Sequence, residues 1–136
     1  MSTTITWNGM EDCRDLFARL RAHTDDLRPT LNAIGNELTE SAKSRIADEK
    51  KSPEGVAWAE LNPDYAARKR QHSSGGILEY TGNLLNSMTY NVSATDVRVG
   101  SNEVYANRHQ QTRPYLGVSD DDANAINQFI RDALGE

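Results

Sequence analysis

The sequence predicts an α+β fold in which amphipathic helices pack on a small antiparallel sheet. Apolar residues recur at intervals of three and four in the first third of the chain and again near its C-terminal end, which is the spacing of one helical face. Between these regions, two short segments at 87–93 and 97–101 alternate apolar and polar residues around a turn, which is the pattern of a β-hairpin. Helix and sheet layers bury their apolar sides against each other, so one shared core is expected.

Length and charge limit the classes of protein that fit. A chain of 136 residues is predicted to be one domain, 1–136, with one hydrophobic core. The net charge is -5, and only 41–75 carries a basic excess, with seven basic and five acidic residues. This distribution disfavours a general nucleic-acid binder. No apolar run is long enough for a membrane span, and the start of the chain does not resemble a signal peptide, so we expect a cytoplasmic protein.

The single cysteine excludes an internal disulfide and a cysteine-based zinc site. We expect Cys13 to act as a small buried apolar residue.

Two helices are predicted in the first third of the chain. Asn8 is expected to cap a helix that runs to about His23. Asp26 is expected to cap a second helix that carries Pro29 in its first turn and runs to about Lys50. The second helix is predicted from one apolar stripe, formed by Leu27, Leu31, Ile34, Leu38, Ala42 and Ile46.

The middle of the chain is predicted to be less regular. Helical spacing stops at Lys50, and a turn is expected at 52–55, so 50–76 is interpreted as a flexible loop with a brief helix inside it. A short helix is expected to begin at Thr81, ahead of the hairpin.

Three consecutive aspartates, Asp120 to Asp122, raise the question of a cation site. An EF-hand loop beginning at Asp120 would need glycine where Ala125 stands and an acidic ligand where Arg131 stands, so that interpretation fails. With Ser119 as N-cap, the aspartates instead occupy the first turn of a helix, where carboxylates are favoured. The sequence therefore predicts an amphipathic helix from Asp120 to Leu134, and no metal site.

No catalytic residue or cofactor is predicted either. The three histidines, His23, His72 and His109, lie far apart and lack the spacing of zinc-hydrolase motifs. His109 could act as a general base, or it could pack at a subunit contact, which the absence of a nucleophile motif favours. A second alternative is a nucleic-acid-binding accessory domain that uses Lys50, Lys51, Arg68, Lys69 and Arg70. Salt-dependent retention of the protein on a DNA column would identify such a nucleic-acid-binding domain.

Five short segments follow one another between residues 55 and 122. They are Gly55, Trp58 and Leu61; Tyr65 to Arg70; Thr81, Gly82, Leu84 and Ser87; Tyr105, Ala106, His109 and Gln110; and Arg113, Pro114, Tyr115, Leu116 and Gly117. In this order they resemble the phage virion morphogenesis family, the tail completion proteins of Mu-like phages and prophages. One departure is that only Gln111 and Thr112 separate the last two segments, where family members carry a glycine-containing loop.

The resemblance implies a non-enzymatic structural protein that acts in tail completion and head–tail joining. It would assemble in the host cytoplasm and then occupy the head-proximal end of the tail in the virion. The implied partners are tail tube or tail terminator proteins and head connector proteins, with the chain itself in a homo-oligomeric ring. A head–tail connector or a tail terminator ring protein is the alternative within the same machinery.

A function in assembly would depend on surface contacts rather than on chemistry. The predicted interface residues come from the resembling segments, and Trp58 and Tyr115 are expected to be exposed apolar anchors, because aromatic residues dominate binding energy at interfaces. The alternative is that both aromatics belong to the core. The full predicted interface set is Trp58, Leu61, Tyr65, Tyr105, His109, Arg113 and Tyr115.

Overall fold

In the computed structural model, the described residues are 7, 9–58, 86–101, 110 and 114–136. They form three α-helices, α1 (Met10–His23), α2 (Arg28–Ser44) and α3 (Asp120–Leu134), and a two-stranded antiparallel sheet of β1 (Thr89–Val92) and β2 (Val97–Gly100). Helix α3 packs against both α1 and α2, and α2 also packs against the two strands. The predicted α+β class, with helices packed on a small antiparallel sheet, is confirmed.

Helix α1 ends at His23, as predicted, but its N-cap differs from the predicted one. Its N-cap is Gly9, in the left-handed region at φ 86, and no side chain caps it. The predicted cap, Asn8, lies outside the described residues. Leu16 and Leu20 are buried on the side that faces the core. At the C-terminal end, the Thr24 N–H donates to the Leu20 carbonyl and closes the last turn.

Helix α2 continues through a π-helical turn, Arg45–Glu49, and ends at Lys50, which has φ 54. The predicted end near Lys50 is therefore confirmed, although the last turn is wider than an α-helical one. The N-cap is Leu27, one residue after the predicted cap, and the Asp26 carboxylate accepts a hydrogen bond from the Arg28 N–H at 3.3 Å. Pro29 lies in the first turn, as predicted.

The predicted hairpin is confirmed. Its register pairs Thr89 with Gly100 and Val92 with Val97, and the Ser93 N–H donates to the Asp96 carbonyl at 2.8 Å to close the connecting turn. The sheet lies close to α2, because a Cβ placed on Gly35 would be 2.4 Å from Cδ2 of the Tyr90 ring. Glycine at that position lets the ring contact the helix backbone.

Two groups of buried side chains form the core. The larger group joins α1, α2 and α3, and Cys13 packs at its margin, where burial raises the pKa of the thiol. The smaller group surrounds the end of α2 and consists of Ala42, Ile46, Trp58, Met88 and Tyr115. Within the described residues, no helix is both long enough and apolar enough to cross a membrane.

Several predictions concern residues that the structure does not describe. The brief helix inside the predicted 50–76 loop and the start of the helix at Thr81 both lie in 59–85, outside the described residues. The same holds for five of the predicted interface residues: Leu61, Tyr65, Tyr105, His109 and Arg113.

Candidate functional site

A buried ion pair joins the end of α2 to the start of α3. Arg45 and Asp122 are 3% and 2% exposed, and the Arg45 Nη2 atom lies 2.5 Å from the Asp122 Oδ2 atom. The hydroxyl of Ser41, one turn before Arg45 on the same face of α2, donates to Asp122 Oδ1 at 2.5 Å. A buried charge is tolerated only when it is paired and hydrogen-bonded, and these contacts meet that requirement for Asp122.

The same aspartate caps α3. The Asp122 N–H donates to the Ser119 Oγ at 3.0 Å, and the Ser119 N–H donates back to Asp122 Oδ2 at 3.1 Å, which completes a capping box. The predicted helix start, with Ser119 as N-cap, is confirmed. Asp120 and Asp121 are exposed, whereas Asp122 points into the protein. The three aspartates are therefore not equivalent.

Side chains from elsewhere in the chain hold the backbone of segment 114–119, which leads into α3. Arg45 Nη1 donates to the Tyr115 carbonyl at 3.0 Å, and Trp58 Nε1 donates to the Pro114 carbonyl at 2.8 Å. The Gln110 amide oxygen accepts from the N–H groups of Tyr115 and Leu116 at 3.1 and 2.9 Å, and its nitrogen donates to the Leu116 carbonyl at 3.0 Å. Five hydrogen bonds from three side chains thus fix one conformation of this segment.

Loop 51–57 lies beside segment 114–119, because Trp58, which directly follows the loop, donates to the Pro114 carbonyl. The predicted turn at 52–55 is confirmed: the Gly55 N–H donates to the Ser52 carbonyl at 2.9 Å, with Gly55 at φ 90. An antiparallel bridge pairs Lys51 with Ala57. At the loop's outer side, Val56 is 67% exposed.

The expectation that Trp58 and Tyr115 are exposed anchors is wrong for the single chain. They are 7% and 1% exposed and pack together with Ile46 against the end of α2. The physical reason is that the Trp58 indole N–H finds a carbonyl partner inside the chain, while the Tyr115 ring enters the smaller core group. Burial also raises the pKa of the Tyr115 phenol to about 12. A role for either residue at an interface stays a prediction. Each would contribute indirectly, by holding the backbone that contacts a partner.

Sequence reasoning missed Ser41 and Arg45 altogether, and it gave Gln110 no role of its own. A signal existed for Arg45, since it lies between Ala42 and Ile46 on the buried side of α2, where a charge requires a partner. Within the described part of the chain, no group of three or more histidine, cysteine, aspartate or glutamate residues is arranged to hold a metal ion. The site is therefore a network of side chains that hold the backbone of segment 114–119 in position.

Comparison with known protein families gives a match. The model of the phage virion morphogenesis family matches residues 9–113, which is more than half of the chain. Comparison with curated proteins and with solved structures gives no significant match. The matched region includes α1, α2, loop 51–57 and the hairpin, and it ends at Arg113, just before segment 114–119. This family comprises structural morphogenesis proteins of phages, which are generally non-enzymatic and act with other virion proteins. The chain therefore belongs to the phage virion morphogenesis family.

Proposed function

We propose that this protein completes the phage tail and joins it to the head, as a structural component without catalytic activity or cofactor. The observation that carries the proposal is the fixed pair of loops, 51–57 and 114–119, at one end of the helical layer. Together with the family membership, it supports a function based on a preformed contact surface.

The hydrogen bonds of the site favour binding over chemistry. Arg45 and Asp122 are bonded to each other and to neighbouring groups at the junction of α2 and α3, so their charges stabilise that junction. A surface that is already ordered loses less conformational entropy when a partner binds, and it therefore binds more tightly for the same contacts. This is the property expected of a part that must fit between two preassembled structures.

Val56 is the residue through which this surface offers apolar contact. Among the described residues, it is the large apolar side chain that stands exposed, and the turn at Ser52 holds it in place through a hydrogen bond from the Val56 N–H to Ser52 Oγ at 3.1 Å. Leu116 and Val118, in the neighbouring segment, are half-buried. Small apolar groups on a rigid frame are suited to a protein partner.

The proposed partners are the tail tube or tail terminator on one side and the head connector on the other, with several copies of the chain in a ring. The protein would assemble in the host cytoplasm and remain at the head-proximal end of the tail. A head–tail connector or tail terminator ring protein is the nearest alternative, and the virion protein that copurifies with the chain would separate the two.

The charges near Lys50 and Lys51 weigh against the nucleic-acid alternative. The Lys50 ammonium group contacts the Ile46 carbonyl, and the exposed carboxylates of Asp48, Glu49 and Glu54 lie close in sequence to both lysines. Phosphate binding requires a local excess of positive charge, which this part of the described surface does not supply.

A complementation experiment tests the proposal. A phage that lacks this gene is supplied with the Val56→Asp variant, and Asn36→Asp serves as the matched control because it adds the same charge at an exposed site on α2. Val56 is preferred to Trp58 or Tyr115, because truncation of a buried aromatic costs about 3–5 kcal/mol and would confound folding with assembly. Urea denaturation establishes that both variants are folded.

We expect Val56→Asp to yield heads and tails that remain separate in electron micrographs, while Asn36→Asp restores infectious particles. Infectious particles at the wild-type level from a folded Val56→Asp protein would refute the proposed contact surface. If a folded His109→Ala protein abolished infectivity while Val56→Asp did not, the contact surface at Val56 would be refuted, and a chemical role for His109 would have to be tested against its predicted role at an interface.

A further inference from the structure

The hairpin has two outer edges, and their backbone groups can be assigned from the register. In an antiparallel pair, hydrogen-bonded and non-hydrogen-bonded residue pairs alternate. The Ser93 N–H donates to the Asp96 carbonyl, so Val92 and Val97 form a non-hydrogen-bonded pair, as do Tyr90 and Val99. The N–H and carbonyl groups of these four residues therefore point away from the hairpin. Within the described residues, no third strand pairs with β1 or β2.

The residues of β1 lack three sequence features by which proteins often prevent strand pairing. Natural edge strands carry charges, proline or bulges. From Tyr80 to Thr95 the sequence contains neither a charged residue nor proline, and the register of β1 is regular. Threonine, tyrosine and valine, which make up three of the four residues of β1, favour extended structure. The edge of β2 differs, because its exposed residue Arg98 carries a charge.

We propose that β1 of one copy pairs antiparallel with β2 of a second copy, so that the hairpins of neighbouring subunits form one continuous sheet. This inference rests on the ring in the proposed function and identifies its subunit contact. The order β1, β2, β1, β2 keeps every neighbouring pair antiparallel, and a head-to-tail contact of this type closes into a ring when the rotation permits.

Side-chain orientation supports this pairing. The outward-pointing backbone groups of both edges belong to residues whose side chains face the core: Tyr90 against Gly35, Val92 and Val97 against the larger core group, and Val99 against the smaller one. Pairing these residues with one another keeps all the apolar side chains on one side of the extended sheet.

On the other side of that sheet, Asn91 lies opposite Arg98 of the second copy, so the charge of Arg98 meets a neutral amide. Near this point, at Gly100, the outer side is open among the described residues, since an added Cβ would meet none of their atoms within 4 Å.

The two other pairings of these edges are less favourable. Pairing of β2 with β2 of a second copy would place Arg98 near its own counterpart, and like charges on neighbouring strands repel. Pairing of β1 with β1 would avoid that repulsion but leave both β2 edges open and stop at a dimer. Only the β1–β2 contact uses both edges of each copy.

Disulfide trapping tests the contact in the full-length chain. Asn91→Cys and Arg98→Cys are made separately, each with Cys13→Ala so that the native thiol does not react. In the proposed register, positions 91 and 98 of neighbouring copies form a non-hydrogen-bonded pair, in which side chains approach closely enough for a disulfide. After oxidation, we expect a cross-linked dimer in the mixture of the two variants and little in either alone. A dimer from Asn91→Cys alone would indicate β1–β1 pairing and overturn the proposal.

Two proline variants provide an independent test. Val92→Pro removes an outward N–H from β1, and Val97→Pro removes one from β2, a substitution that edge strands tolerate. We expect analytical ultracentrifugation to show each folded variant as a monomer and their mixture as a dimer, because each retains one intact edge of opposite type. Wild-type chain that stays monomeric at the highest soluble concentration, or proline variants that assemble like wild type, would overturn the sheet contact. Neither result would affect tail completion, which the complementation experiment tests separately.

Discussion

Replacing Asp122 with alanine should remove much more stability than the loss of a helix cap. Loss of the capping box alone costs about 1 kcal/mol. Loss of the carboxylate also leaves the guanidinium of Arg45, which is 3% exposed, without its charged partner, and an uncompensated buried charge costs about 3–5 kcal/mol. Because the two effects share one side chain, we expect a total of about 3–5 kcal/mol, which is less than their sum.

Urea denaturation followed by circular dichroism measures this loss directly, as a fall in the free energy of unfolding. Two controls separate the contributions. Ser119→Ala removes only the cap and should cost about 1 kcal/mol. Asp121→Ala removes an exposed carboxylate of the same first turn and should cost about 0.3–1 kcal/mol, through the helix dipole alone.

The single variants Arg45→Met and Asp122→Leu, together with the double variant that carries both changes, form a double-mutant cycle. Replacing a buried ion pair by apolar residues of similar volume is often neutral, so the double variant should recover most of the stability that Asp122→Ala loses. If Asp122→Ala costs no more than Ser119→Ala, or if the two changes in the double variant are simply additive, the buried pair does not stabilise the junction of α2 and α3.

Two further predictions concern the packing around α2. Gly35→Ala should lower the free energy of unfolding in urea by about 1–3 kcal/mol, because the new Cβ would lie 2.4 Å from the Tyr90 ring. This loss should exceed the gain from the better helix propensity of alanine. Tyr90→Ala should then cost less in the Gly35→Ala background than in the wild-type chain. Because burial raises the Tyr115 pKa from its ordinary value of 10.0 to about 12, the unfolded chain releases this proton first as the pH rises. Stability that is present below pH 10 should therefore be lost between about pH 10 and pH 12, and Tyr115→Phe, followed by thermal melting across that range, should reduce the loss.

The helices and the hairpin could be predicted because their signals are local. A stripe at intervals of three and four fixes a helical face without reference to the rest of the chain, and the alternation on both sides of Ser93–Asp96 fixes a hairpin in the same way. The π-helical turn at 45–49 could not be predicted from spacing, because its hydrogen bond, from the Lys50 N–H to the Arg45 carbonyl, depends on how the end of α2 packs.

Burial of the aromatic residues required tertiary information. Trp58 follows a polar turn, and Tyr115 stands between Pro114 and a glycine-containing loop, so the sequence around each resembles an exposed loop. Their position is decided by the end of α2, because both rings pack on the apolar surface formed there by Ala42 and Ile46. A loop residue can belong to the core when the loop is held to a helix, and the side chain that holds this loop, Arg45, lies 70 residues away from Tyr115.

The sequence alone indicates that Arg45 and Asp122 lie on apolar helix faces, but not that they pair with each other. Asp122 precedes Ile126 and Ile130 by four and eight residues, which places it on the apolar face of α3, unlike Asp120 and Asp121. Arg45 occupies the corresponding position on α2, so each stripe contains one charge, and the two charges are opposite.

Two apolar stripes alone would allow α3 to slide along α2 by a turn with little change in buried area. One buried charge on each stripe removes that freedom, because any other register would leave both charges unpaired. We therefore infer that Arg45 and Asp122 set where α3 begins on α2, and with it the position of segment 114–119. The Arg45→Met, Asp122→Leu double variant should accordingly keep its stability while the amide protons of Tyr115 and Leu116 exchange faster with solvent than in the wild-type chain.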